Sequence, residues 1–63
     1  MSSAATPFYA VIDEDQVQGW VAQDKRSYRA WGTFRSKLII THGCTSSQAV
    51  DRWREAARYA ANE

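Results

Sequence analysis

The chain has 63 residues, 44% hydrophobic and 13% aromatic, with eight Lys and Arg against seven Asp and Glu for a formal charge of +1. That length allows one domain, which buries only about 60% of its unfolded surface, so aromatic packing, a partner or self-association must add stability. The charge gives no global basic signature, the single cysteine excludes an internal disulfide, and no apolar run nears membrane-spanning length.

Residues 1–7 read as a small, polar, frayed leader ending at Pro7, and residues 8–63 as one small domain. No signal peptide is read at the start, and the expected location is the cytoplasm. Phe8-Tyr9-Ala10-Val11-Ile12 is rich in β-formers and too short for a helix, so it predicts a strand. Phe8, Ala10 and Ile12 share one face. Residues 13–16 are polar and read as a turn. Residues 17–22, VQGWVA, predict a second strand, in which Gly19 marks a bulge or the close approach of another backbone. Two such runs with a short polar link make a β-hairpin.

Residues 23–27 form a second polar turn. Residues 28–34, YRAWGTF, fit two patterns. As a strand they place Tyr28, Ala30, Gly32 and Phe34 on one face, with Arg29, Trp31, Thr33 and Arg35 on the other. As a helix they would align Tyr28, Trp31, Arg35 and Leu38. Gly32 and Thr33 disfavour the helix, so the strand is preferred. Residues 35–37 suggest another turn. Leu38-Ile39-Ile40-Thr41 is a short β-type run, either a fourth strand or the end of a long third one.

Residues 45–61, TSSQAVDRWREAARYAA, are the clearest element: an amphipathic helix. Thr45 and Gln48 fit a capping box, and Gly43 is read as allowing a sharp entry. Ala49, Val50, Trp53, Ala56, Ala57, Ala60 and Ala61 recur at helical spacing and define the buried face. Trp53 is the only large anchor on it. Arg52, Arg54, Glu55 and Arg58 should be solvated, with Asp51 and Glu55 able to pair with later arginines. Strands followed by one helix predict an α+β fold: three or four antiparallel strands with a C-terminal helix packed on one face. An all-helical alternative, starting near Asp15, leaves FYAVI and LIIT unexplained.

Candidate chemistry is sparse. His42 and Cys44 are two ligands separated by one residue, short of the four a structural zinc site needs. They read as part of the strand-to-helix link. Asp13, Glu14 and Asp15 could hold a cation but fit a solvated turn. No Gly-rich phosphate loop stands in the chain. An enzyme, a metal and a cofactor are therefore not expected. The remaining signal is Lys25, Arg26, Arg29, Trp31, Arg35 and Lys37, a basic and aromatic stretch without an acid. Exposed tryptophan beside arginine can anchor a protein interface or stack on bases. Trp20 is expected in the core, while Trp31 fits either place. The near-neutral charge favours a protein partner or self-association through the sheet face. A nucleic-acid-binding module using 25–37 is the alternative.

Tyr9-Ala10-Val11-Ile12-Asp13 followed by Gly19-Trp20-Val21-Ala22 resembles the opening hairpin of HicB-like antitoxins. The segment 42–50, HGCTSSQAV, is similar to that family's helix start. Together these cover about half of the chain. They depart at KRSYRAWGTFRSK, where the family has a shorter segment with proline and glycine. The resemblance implies a β-β-β-α fold, a toxin or other protein partner, and a role at DNA. Full antitoxins of this kind carry an extra DNA-binding segment, which is not read after Glu63. At the level of fold alone, integrase arm-binding domains share this layout.

Overall fold

The computed structural model describes residues 5–62. Four strands, β1 (Thr6–Ile12), β2 (Asp15–Asp24), β3 (Ser27–Phe34) and β4 (Lys37–Gly43), precede one helix, α1 (Ser46–Ala61). The strands form a single antiparallel sheet in sequence order, and α1 lies across one face, mainly over β3 and β4. This is the expected α+β architecture in its four-stranded form. Among the described residues no helix is long and apolar enough to cross a membrane.

Each strand is longer than expected. β1 begins at Thr6, so Thr6 and Pro7 belong to the sheet rather than to the leader. Of the rest of that leader, Ala5 is exposed and outside the strand, and residues 1–4 lie outside the described residues. β2 takes in Asp15 and Gln16 at one end and Gln23 and Asp24 at the other, leaving two-residue loops. Residues 28–34 lie within β3, and His42 and Gly43 end β4 instead of linking it to the helix.

The three loops are tight and contain no glycine. Asp13 and Glu14 both have positive φ, as do Arg35 and Ser36. That is the type I′ pattern, whose twist matches the right-handed twist of paired strands. In the β2–β3 loop only Lys25 has positive φ. There Ser27 Oγ donates to the Asp24 carbonyl at 3.1 Å and Gln23 Nε2 to the Lys25 carbonyl at 3.3 Å.

Glycine is spent on close approach instead. Gly19 and Gly32 face each other across β2 and β3. A Cβ on Gly19 would stand 2.5 Å from Phe8 Cζ, and one on Gly32 would stand 3.0 Å from Trp53 Cζ2. The close approach of another backbone anticipated at Gly19 is present, since a Cβ there would also stand 2.8 Å from the Trp31 carbonyl oxygen. The paired glycines leave a shallow floor in the sheet, which Trp53 and Phe8 fill, their rings edge to face at 5.3 Å. Gly43 does not provide a special turn, because no glycine has positive φ. It is there because a Cβ would stand 2.6 Å from the backbone nitrogen of Ala49.

The core lies between sheet and helix: Ala10, Ile12, Val17, Val21, Ala30 and Phe34 from the strands, and Ala49, Trp53 and Ala57 from α1. Trp53 is wholly buried, and its Nε1 donates to the Ile39 carbonyl at 3.0 Å. Thr45 caps the helix by accepting from the Gln48 N–H at 3.1 Å. The return bond differs from the expected capping box: Gln48 Oε1 accepts from the Cys44 N–H at 2.7 Å, one residue before the cap.

The arginines of α1 do more than face solvent. A two-residue loop makes its flanking residues a hydrogen-bonded pair, so Tyr9 and Val11 in β1, and Leu38, Ile40 and His42 in β4, turn their backbone groups to the open edges. Arg52 Nη1 donates to the His42 carbonyl at 2.9 Å, and Arg54 Nη2 reaches the Tyr9 carbonyl at 3.5 Å. Pro7 removes one further edge donor from β1. Both edges are partly blunted against pairing with another strand.

Candidate interaction surface

Alternation along the strands decides what the helix does not cover. In β1 the residues between core positions are Tyr9 and Val11; in β2 they are Gln16, Gln18, Trp20 and Ala22. In β3 they are Arg29, Trp31 and Thr33, and in β4 Leu38, Ile40 and His42. Successive side chains point to opposite faces, so these all stand on the open side of the sheet.

Register arranges them in rows. Pro7 pairs with Trp20, Trp20 with Trp31, and Trp31 with Ile40, giving one apolar row across all four strands. Ala22, Arg29 and His42 form the next row toward the β2–β3 loop. On the other side, Tyr9 pairs with Gln18, Val11 with Gln16, and Thr33 with Leu38. Tyr9, Val11, Trp20, Leu38 and Ile40 are all exposed, from 38% at Trp20 to 67% at Val11, and Trp31 is half-buried among them. Of the exposed large hydrophobic residues among those described, only Tyr59 on α1 lies elsewhere. Arg29, Trp31, Leu38 and Ile40 line a shallow depression in this face.

Trp20 is therefore on the open face, contrary to its expected burial. The reason lies in the paired glycines. They let Trp53 approach the sheet closely and complete the core from the helix side, so the parity that buries Val17, Gly19 and Val21 turns Trp20 outward.

The six basic and aromatic residues of 25–37 do not form one patch. Arg29 and Trp31 are neighbours on the open face, with the guanidinium carbon 5.6 Å from the indole centroid. Lys25 and Arg26 occupy the loop at that end of the sheet. Arg35 and Lys37 lie at the far end of β3, eight residues or roughly 26 Å away. Arg35 does not share a face with Arg29 and Trp31 as expected. It sits in the β3–β4 turn against the ring of Phe34 and bonds Asp13 at 3.0 Å and Asp15 at 3.3 Å. Its hydrogen bond to Asp13 raises its pKa, against a smaller opposing effect of desolvation and with further support from Asp15. Two of the three turn carboxylates thus hold a guanidinium. Lys37 projects beside Phe34, Ala60 and Ala61 on the helix side.

His42 ends its row beside Arg29, and Cys44 is exposed and unbridged. Among the described residues no three His, Cys, Asp or Glu side chains gather as a metal site. Sequence reasoning missed Tyr9, Val11, Leu38 and Ile40 as surface residues. The signal was present in their alternation with Ala10, Ile12 and Ile39.

Compared with protein-family models, curated proteins and solved structures, the chain matches none. The resemblance to HicB-like antitoxins rests on the quoted motifs alone.

Proposed function

We propose that this chain is a small non-enzymatic interaction module that binds a protein surface through the open face of its sheet. One observation carries the reading. Among the described residues, five of the six exposed large hydrophobic side chains stand on that face, Trp20 of the cross-strand Trp20–Trp31 pair among them. Aromatic residues with an arginine at the margin are the composition of energetic centres in protein interfaces. A contiguous apolar patch is also costly to leave in water. A HicB-like role, with a toxin as partner, is one form of this reading. A cytoplasmic setting suits the lone exposed Cys44.

Nucleic-acid binding is the second reading, supported by Arg29 over Trp31, an arrangement that can stack a base and hold a phosphate. Its weakness is charge. Arg29 is the one Lys or Arg on the open face of the strands, and binding to phosphates draws on several cations.

A photo-crosslinking residue at Thr33, on the open face, and another at Arg58, exposed on α1, separate these readings in cells. Protein adducts at Thr33, none at Arg58, and loss of the Thr33 adducts on adding Leu38→Lys support the module. Nucleic-acid adducts at Thr33, or no difference between the two positions, contradict it.

A further inference from the structure

We propose that the occupant of the open face is a second copy of this chain, its sheet stacked on the first with the strands antiparallel, so that the Arg29 end of each copy meets the acidic hairpin of the other. The proposal rests on the sheet face being the binding surface and adds the partner and its orientation.

Area is the first argument. Four strands about 4.8 Å apart and seven to ten residues long give a face of about 19 by 25 Å, or roughly 480 Å² before side-chain relief is counted. Two such faces in contact remove about 1,000 Å², the lower bound of a specific interface. The whole face must therefore be covered. A single helix, about 10 Å wide, covers half of it. A second sheet of the same dimensions covers all of it, as in aligned sheet packing. The blunted edges make strand addition the poorer route to a dimer.

Charge is the second argument. Between the rows of Arg29 and Val11 the face carries no ionic side chain, so two copies can meet there without stranding a charge. The ends have opposite sign. Lys25, Arg26 and Arg29 stand against Asp24 at one, a net of +2, and Asp13, Glu14 and Asp15 against Arg35 and Lys37 at the other, a net of −1. A two-fold axis along the strands would set like ends together. An axis across the strands, in the plane of contact, sets the positive end on the negative end twice.

Sedimentation equilibrium of the purified full chain over a dilution series tests this. The expected result is a monomer–dimer equilibrium that added salt weakens. Leu38→Lys, at an exposed position that folding does not need, should leave a folded monomer. Arg29→Glu should weaken dimerisation by about tenfold, since it removes the net positive charge of that end. A dimer that Arg29→Glu strengthens has the wrong orientation, and one indifferent to Leu38→Lys uses another surface; either overturns the proposal. A monomer at all concentrations also overturns it. If Thr33 then still crosslinks a different protein, the sheet-face reading stands without the dimer.

Discussion

The indole of Trp53 occupies the space a side chain at Gly32 would need: a Cβ there would stand 3.0 Å from Cζ2 and 3.1 Å from the Cα of Gly19. The contact joins the one large buried side chain of the helix to the thinnest part of the sheet. Gly32→Ala is expected to cost about 1–3 kcal/mol, because the backbone on one side and a locked indole on the other cannot both yield. Trp53→Ala should cost about 3–5 kcal/mol. Trp53→Phe should fall between wild type and Trp53→Ala, losing the bond to the Ile39 carbonyl but keeping a ring. Thermal melts of the three variants check the order; a Trp53→Ala protein as stable as wild type would show that the core is not built on this residue.

The fold was legible where local pattern and tertiary role agree. Phe8, Ala10 and Ile12 alternate as a half-buried strand must, and Ala49, Trp53 and Ala57 recur as a buried helical face must. It was less legible at the strand ends. Asp15, Gln16, Gln23 and Asp24 are polar and read as loop, yet they lie in β2, because two-residue turns leave the chain no room for longer ones. The turns carried none of their usual glycine, so nothing in Arg35-Ser36 or Asp13-Glu14 announced positive φ. At the candidate surface, strand alternation put Arg29 and Trp31 on one face, where they are neighbours. It also joined Arg35 to them, but β3 ends at Phe34 and the alternation does not carry through the turn in which Arg35 sits.

Glycine-free type I′ turns leave stability ungained. Glu14 and Ser36, the second loop residues, hold φ of 70° and 67°. A left-handed conformation costs an L-residue roughly 1–2 kcal/mol, part of which glycine returns as chain entropy. Glu14→Gly and Ser36→Gly should therefore each stabilise the fold by about 0.5–1 kcal/mol. In a domain of this size each should raise Tm by several degrees, and the two should add, because they lie in separate turns. Melts showing a lower Tm for both would mean that the turns are not of this type.

The start of α1 depends on three side chains acting in sequence. Thr45→Ala removes the acceptor for the Gln48 N–H and should cost about 1 kcal/mol. Gln48→Ala leaves the exposed Cys44 N–H to water and should cost less. Gly43→Ala should exceed both, since its Cβ would meet the Ala49 backbone rather than a movable side chain. Urea unfolding at constant slope ranks the three, and a Gly43→Ala protein less perturbed than Thr45→Ala would contradict the packing described.

Trp20 and Trp31 contribute little to the monomer. Their cross-strand contact is worth roughly 0.2–1 kcal/mol, far below the value of Trp53. Trp20→Thr, which keeps a β-former, should shift a melt of dilute protein by less than any core variant. A large loss would return Trp20 to the core and remove it from the proposed surface.

The most direct measurement of the central claim uses the three indole N–H signals of the unmodified protein, recorded with a soluble paramagnetic agent in dilute and in concentrated solution. The account predicts that Trp53, hydrogen-bonded to Ile39, stays protected throughout. It predicts that Trp20 and Trp31 broaden in dilute solution and become protected as concentration rises. Equal broadening of all three, or protection of Trp20 and Trp31 even at high dilution, would contradict the division of the tryptophans between a closed face and an open one.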